Sequence, residues 1–402
     1  MRETEAAALH TTPVLYLSTL SALERFCAQA RAEGRVALDV EFVREVSYAP
    51  KLALVQLATT TACAIVDPLA VADLSPLGAL LAAPEVEKVL HAAHQDLEVL
   101  YWHTQALPVH LFDTQIAAAF AGLGEQQSYP RLVERLLGVA LPKNERNSDW
   151  LQRPLTPQQV AYALDDVRYL LPLHDHLCLR LHELGRLAWV REECARFEEP
   201  ERYRRDAQRL LHRIRRRHSL SAQGMAVLLE LVLWRDEEAR RRDRPPGSVL
   251  RDEALVEIAR KAPRSAAELR SLRRLPQREV ERSEAALLAA VARGLARGSV
   301  EVPAAAPRLR LSETEELAVK FLEVCLRLLC KREKLPPSLV ATRAELESLV
   351  RQYRRGQRAA HPLLSGWRRE LVGEELLAVL RGQRSVQLDP DSARVCLTPH
   401  HA

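Results

Sequence analysis

The segment Tyr162-Ala-Leu-Asp-Asp166 places a phenol and a carboxylate four residues apart. The residues before it predict a helix, because Thr156 is a candidate N-cap and Gln159, three residues later, completes a capping box. Side chains four residues apart share one helical face, so Tyr162 and Asp166 are predicted to point the same way. Asp165 is one residue out of step and is predicted to be a solvated charge on another face.

An acidic pair lies further upstream, in the stretch Val36-Ala-Leu-Asp-Val-Glu-Phe42. Its composition predicts a β-strand, on which Asp39 and Glu41 share one face because they are two residues apart. Two adjacent carboxylates among apolar residues are costly unless a cation neutralises them, and Mg²⁺ prefers oxygen ligands. The pair alone is also compatible with an edge strand that exposes an acidic face.

A further carboxylate, Asp96, lies where a short apolar strand is predicted to run into a helix. A carboxylate near a helix start is favoured by the exposed N–H groups, so helix stabilisation is the alternative to metal binding. His91 and His94 are predicted not to bind metal, because no His or Cys partner stands at the spacing of zinc sites. Asp113 is predicted to be the N-cap of the next helix, with support of the metal ligands as the alternative.

These segments resemble the three motifs of the DEDD superfamily of 3′→5′ exonucleases, in its tyrosine subclass. Other parts of the chain resemble bacterial ribonuclease D, namely Asp39–Arg44, Leu54–Leu57, Ile65–Leu69, Phe112–Ala118, Ser148–Leu151, Arg153–Leu155 and Tyr169–Pro172. Trp234-Arg235, Arg240–Asp243 and Leu364–Arg368 resemble the helical HRDC region of that family. Trp150 and Trp367 are predicted to anchor turns by apolar contacts, with stacking on bases as the alternative.

The resemblance implies a chemistry for the motif residues. Asp39, Glu41, Asp96 and Asp166 would hold two divalent ions, Mg²⁺ or Mn²⁺. Tyr162 would orient the attacking water, and Glu41 would also meet the terminal 3′-hydroxyl. The implied substrate is RNA with a free 3′ end, such as tRNA precursors. Two alternatives are a non-catalytic RNA-binding scaffold on an exonuclease fold and a single-stranded DNA 3′→5′ exonuclease; the presence of all five motif residues disfavours the scaffold.

The length of 402 residues predicts two or three domains. Strand and helix signals alternate up to about residue 190, and strand signals disappear from about 219. We expect an α/β catalytic domain, which the resemblance implies is a ribonuclease H-like mixed sheet with flanking helices, followed by all-α HRDC-type domains. The predicted boundaries are 1–190 for the exonuclease domain, 191–218 for a basic linker helix, 219–298 for an HRDC domain, 308–388 for a second HRDC-like domain and 389–402 for a tail. Deleting the residues from about 219 is predicted to leave hydrolysis of short RNA possible.

The net charge of +5 is unevenly distributed along the chain. Arginine clusters around 202–217 and 240–244 predict contacts with RNA phosphates, and a solvated helical segment is the alternative for both clusters. The candidate RNA-contact residues are Arg213, Arg216, Arg240 and Arg241.

The cysteines and the N-terminus bear on the cellular compartment. The seven cysteines include no Cys-x-x-Cys pair, which argues against a disulfide framework or a zinc ribbon. The N-terminus resembles no signal peptide, and the chain lacks a long apolar run. A cytoplasmic protein is therefore predicted.

Overall fold

The computed structural model describes residues 12–44, 46–142, 148–203, 206–215, 217–272, 275–297, 311–357, 360–388 and 395–399. The first part is an α/β domain. Its elements are β1 (Val14–Leu17), α1 (Leu20–Glu33), β2 (Arg35–Val43), β3 (Lys51–Ala58), β4 (Cys63–Val66), α2 (Ser75–Leu81), β5 (Glu87–Leu90), α3 (His94–Thr104), β6 (Leu111–Asp113), α4 (Thr114–Phe120), α5 (Tyr129–Leu137), α6 (Pro157–Arg168), α7 (Leu170–Glu183) and α8 (Leu187–Ala195).

The strands form one mixed sheet in the order β1-β4-β3-β2-β5-β6. Strands β2, β3 and β4 form an antiparallel meander, and β1, β5 and β6 pair in parallel with their neighbours. The mixed sheet with flanking helices confirms the predicted fold class. Strand β6 was not predicted, because three residues are too few to show an alternating pattern.

Strand β2 separates two hydrophobic cores. Val36, Leu38 and Val40 pack on the face covered by α1, α2 and α3. Ala37 packs on the opposite face, with residues of α4 to α8. Because side chains alternate along a strand, Asp39 and Glu41 project on the same side as Ala37. The acidic pair therefore lies on the sheet face that helix α6 covers.

Two helical units follow the α/β domain. Their elements are α9 (Ala207–Arg213), α10 (Ala222–Arg241), α11 (Pro246–Val249), α12 (Asp252–Lys261), α13 (Ala266–Arg270), α14 (Gln277–Ala296), α15 (Glu313–Glu333), α16 (Pro337–Val340), α17 (Arg343–Arg354), α18 (Gly366–Arg368), a π-helical turn (Arg369–Gly373), α19 (Glu374–Leu380), β7 (Arg384–Leu388) and β8 (Val395–Pro399). Helices α10 to α14 make the first unit. Gly294 lets α14 approach α10 closely, since a Cβ there would collide with the backbone of Val227.

The second unit, α15 to α19, shares a core with the α/β domain. Trp367 is 1% exposed, and its ring meets Phe120 edge-on at 4.8 Å and stacks on Trp189 at 5.8 Å. Its indole N–H donates to the Glu193 carboxylate at 2.9 Å. Trp367 is thus an apolar anchor, as predicted. Deleting the residues from 219 would open this core and should therefore destabilise the α/β domain. Hydrolysis of short RNA by such a truncated chain stays a prediction.

Two predicted boundaries also need correction. Residues 191–218 are not one linker helix, because α8 ends at Ala195, short 3₁₀ turns follow around Pro200, and α9 begins at Ala207. The predicted boundary at 388 cuts through a hairpin, because β8 pairs antiparallel with β7. The helical half therefore ends in a two-stranded ribbon. Within the described ranges, no helix is long and apolar enough to cross a membrane.

We predict that Trp367→Ala destabilises the whole protein by about 3–5 kcal/mol, the range for removing a buried aromatic side chain. Urea unfolding followed by far-UV circular dichroism measures the change. Phe321→Ala is the matched control: Phe321 is 40% exposed on α15 of the same unit, and its loss should cost less than about 1 kcal/mol. Equal effects of the two substitutions would contradict the shared core.

Candidate active site

Strand β2 supplies the first two carboxylates. Asp39 is opposite Gln56 in the antiparallel pairing with β3, and Glu41 is opposite Leu54. The pairing register shifts directly after Glu41, so a bulge interrupts the ladder beside the acidic pair. Gln56 is fully buried, and its amide has no hydrogen-bond partner among the described residues. Residues opposite each other in an antiparallel pair share a face, so the amide lies on the side of Asp39.

Helix α6 carries Tyr162 and Asp166. Its predicted capping box is confirmed, because the Thr156 hydroxyl accepts from Gln159 N–H and the Gln159 side chain accepts from Thr156 N–H. The buried residues Ala163, Leu164 and Val167 fix the helix against the sheet. Tyr162 and Asp166 are both half-buried.

An ion pair anchors the segment that leads into α6. The Arg153 guanidinium donates to both Asp67 oxygens, at 2.7 and 2.9 Å, and to the Ala53 carbonyl at 2.7 Å. Trp150 in the same segment is 3% exposed, and its ring centre is 6.0 Å from that of Tyr162. The segment is thereby tied to strand β3 and to the end of β4, and it packs against the tyrosine.

Asp165 does not behave as predicted. Its carboxylate is only 17% exposed and pairs with Arg168 at 2.8 Å. Its carbonyl accepts a hydrogen bond from the Tyr129 hydroxyl at 2.9 Å. The prediction of a solvated charge is therefore wrong: one turn of helix places Arg168 within reach, and the pair is covered by its surroundings.

Asp96 lies in the first turn of α3, where Ala93 occupies the N-cap position and offers no side-chain acceptor. The Asp113 carboxylate supplies the missing acceptor, because it accepts hydrogen bonds from the N–H groups of Ala92 at 3.1 Å and Ala93 at 2.9 Å. It also caps its own helix α4, as predicted, by accepting from Gln115 and Ile116. One buried carboxylate thus fixes the start of the helix that carries Asp96.

The acidic side chains of the site interact electrostatically. Loss of solvent raises the pKa of Asp39 to about 7. The pKa of Asp96 is raised well above its usual range, first by loss of solvent and then by the charges of Asp39, Asp113 and Glu41. Asp39, Glu41 and Asp96 therefore form one electrostatic cluster built from β2 and α3.

The chemistry of the cluster fits a divalent cation. Among the described residues, however, no three His, Cys, Asp or Glu side chains are arranged to hold a metal ion by themselves. Carboxylates at close range repel each other, and Mg²⁺ binds through few protein oxygens while it keeps waters and substrate oxygens. The Gln56 amide beside Asp39 also has no hydrogen-bond partner among the described residues, so it could bond to a polar ligand such as a metal-bound water. Asp39, Glu41, Asp96 and Asp166 are the residues that could hold such ions. His91 instead shares a hydrogen bond with Thr114 at 2.9 Å.

The predicted RNA-contact arginines lie around the first helical unit. Arg213 pairs with Glu98 at 3.3 Å, Arg240 covers the Tyr48 ring at 5.4 Å, and Arg241 pairs with Glu238. Their side chains are more than three-fifths exposed. Arg216 lies outside the described residues. Contacts between these arginines and RNA remain predictions.

Known proteins match the chain along nearly its whole length. A model of the 3′–5′ exonuclease family matches residues 14–182, and a model of the HRDC domain matches residues 225–291. Ribonuclease D of Gluconacetobacter diazotrophicus is 38% identical over 379 residues, which cover 94% of the chain and 95% of that protein. The chain belongs to the ribonuclease D family. Ribonuclease D of Granulibacter bethesdensis is 36% identical with the same coverage.

Solved structures agree with the family assignment. Escherichia coli RNase D superposes with a TM-score of 0.79 at 34% identity, covering 91% of the chain and 98% of that structure. The catalytic core of RRP6 from Trypanosoma brucei gives a TM-score of 0.53 at 28% identity, over 72% of the chain and 82% of that core. As a ribonuclease D family member, the protein is a hydrolytic 3′→5′ exoribonuclease. Its exonuclease fold implies dependence on divalent metal ions.

We predict that Asp39→Asn stabilises the metal-free protein more at pH 8 than at pH 5. A carboxyl with a raised pKa holds its proton in the folded state, so wild-type stability falls as the pH rises from about 4 to about 7. The asparagine removes this loss, and its advantage should grow by about 2 kcal/mol between pH 5 and pH 8. Urea unfolding in EDTA at the two pH values measures it.

Asp73→Asn is the control for this experiment. The Asp73 carboxylate accepts a hydrogen bond from Ser75 N–H, which lowers its pKa, so its titration is complete below pH 5. The stability difference between this variant and wild type should not change between the two pH values. A pH-independent difference for Asp39→Asn as well would contradict the electrostatic cluster.

Proposed function

We propose that the protein removes nucleoside 5′-monophosphates from RNA 3′ ends with two divalent ions, Mg²⁺ or Mn²⁺, held by Asp39, Glu41, Asp96 and Asp166. The observation that carries the proposal is the shared electrostatic cluster of Asp39, Glu41 and Asp96, on the sheet face covered by the helix of Tyr162 and Asp166. When bound by these residues, the metal ions would lower the pKa of the attacking water and offset the charge of the departing oxygen.

The chain's own residues orient the reaction. Tyr162 lies one helical turn before Asp166, so its hydroxyl can hold the attacking water beside the carboxylates. A phenol is a weak base at neutral pH, and orientation of the water is therefore the main role of Tyr162. Glu41, directly before the bulge that interrupts the β2 ladder, meets the terminal 3′-hydroxyl and restricts cleavage to chain ends.

The proposed substrates are structured RNAs with free 3′ ends, tRNA precursors among them. The solved E. coli RNase D is described as an exoribonuclease involved in structured RNA processing, which supports this choice. The HRDC domain next to the exonuclease domain offers an additional surface for such RNA. We also propose the predicted domain limits with the corrections given above, so that the second helical unit extends through β8.

We predict that Asp39→Asn and Asp96→Asn each abolish hydrolysis of end-labelled RNA in Mg²⁺ or Mn²⁺. Mn²⁺ should raise the melting temperature of wild type and not of either variant, because the variants lose ligand charge. Wild type in EDTA and a single-stranded DNA substrate are the controls. Substantial Mg²⁺-dependent activity in Asp39→Asn would overturn the metal assignment, and faster cleavage of DNA than RNA would favour a DNA exonuclease.

We predict that Tyr162→Phe lowers kcat by roughly 10²–10⁴, the range for a positioned acid–base group, and changes the affinity for RNA little. Asp165→Asn is the matched control on the same helix. Because Asp165 pairs with Arg168, it should reduce stability while leaving kcat within a few-fold. Single-turnover rates and urea unfolding separate the two effects. Near-normal turnover of Tyr162→Phe would show that its spacing is structural.

A further inference from the structure

Arg44 immediately follows the catalytic strand β2, three residues after Glu41. Its guanidinium lies over the Phe42 ring at 4.9 Å and donates to one oxygen of Glu98 at 3.2 Å. Glu98 stands on α3, two residues after Asp96, and its other oxygen accepts from Arg213 at 3.3 Å. Two arginines from different parts of the chain thus share one glutamate on the rim of the carboxylate cluster.

The rim carries positive charge that Glu98 cannot fully neutralise, since one carboxylate faces two guanidiniums. Both arginine side chains remain accessible, with 38% of Arg44 and 64% of Arg213 exposed. Arg44 follows Glu41 by three residues and contacts Glu98, two residues after Asp96, so its guanidinium lies beside the carboxylate cluster.

An RNA strand that enters a cluster of carboxylates is repelled through its phosphates, so its approach requires nearby positive charge. Guanidinium forks match phosphate oxygens in charge and geometry, and an arginine held against an aromatic ring loses less freedom on binding. We propose that Arg44 and Arg213 form a phosphate-binding subsite for the RNA backbone next to its 3′ end, with Glu98 as the placeholder that a phosphate displaces. This inference rests on the proposed function, because it gives a subsite to the same substrate.

The subsite lies at a junction that the structure holds firmly. The Tyr48 hydroxyl donates to Asp236 at 2.7 Å and its N–H donates to Asp243 at 3.1 Å, so the loop after Arg44 is fixed to the HRDC region. The Tyr48 ring also meets Trp102 of α3 edge-on at 5.7 Å. Arg213 comes from α9, which leads into the same region. RNA bound at Arg44 and Arg213 would contact the exonuclease domain and the connection to the HRDC domain together.

The test is the affinity for a fluorescein-labelled single-stranded RNA, measured by anisotropy in EDTA from 50 to 200 mM KCl. Arg44→Ala should weaken binding on the order of tenfold at low salt, as expected for one charge-assisted contact. It should also reduce the slope of log Kd against log salt by about 0.7, the value for one phosphate contact with a single strand. Arg44→Lys should keep that slope and lose part of the affinity. Glu98→Gln should tighten binding, because it removes the competing carboxylate.

Arg31 and Glu85 provide matched controls, since they form an exposed pair at 3.9 Å in the same domain. Arg31→Ala and Glu85→Gln should leave the affinity and the salt slope unchanged. Exposed ion pairs contribute little to folding, so all these variants are expected to fold, and their melting temperatures verify it. Wild-type affinity and slope in Arg44→Ala, or no gain in Glu98→Gln over Glu85→Gln, would overturn the subsite. Failure of wild type to hydrolyse RNA would instead refute the proposed function, whatever the binding results.

Discussion

The repulsion among Asp39, Glu41 and Asp96 is the constraint on which the rest of the structure depends. Apolar packing on both faces of the sheet withdraws water from these carboxylates, raises the pKa of Asp39 to about 7 and raises the pKa of Asp96 well above its usual range. Such a cluster persists only if its surroundings hold it in place. Asp113 fixes the start of α3 from a neighbouring strand end, and Arg153 fixes the approach to α6 through Asp67.

The helical half also helps to hold the elements that carry the carboxylates in place. The Trp367 indole fills a core that contains Phe120 and Trp189, so the second unit completes the packing around α4 and α8. The first unit binds Tyr48 through Asp236, and Tyr48 lies in the loop that follows the catalytic strand β2. A mutation in either unit can therefore alter catalysis through the position of β2 or α6, in addition to any loss of RNA contacts.

Much of this arrangement was predictable from local sequence patterns. Spacing of two on a strand and four on a helix placed Asp39 with Glu41 and Tyr162 with Asp166, and the capping box at Thr156 located the start of α6. Contacts between distant segments were not predictable. The pairing of Asp165 with Arg168, the burial of Gln56 beside Asp39 and the sharing of Glu98 by Arg44 and Arg213 depend on how the chain folds back on itself. The segment Leu54–Leu57 contains Gln56, but its sequence gives no sign that the amide lacks a partner.

Calorimetric titration of Mn²⁺ into the protein at pH 7, in buffers of different ionisation enthalpy, tests the central claim most directly. Metal ligands must be deprotonated, so binding to carboxyls with raised pKa values should release protons. Wild type should bind Mn²⁺ with measurable proton release, and Asp39→Asn should bind more weakly and release less. Mn²⁺ binding without proton release, or unchanged binding by Asp39→Asn, would contradict a metal site built on these carboxylates.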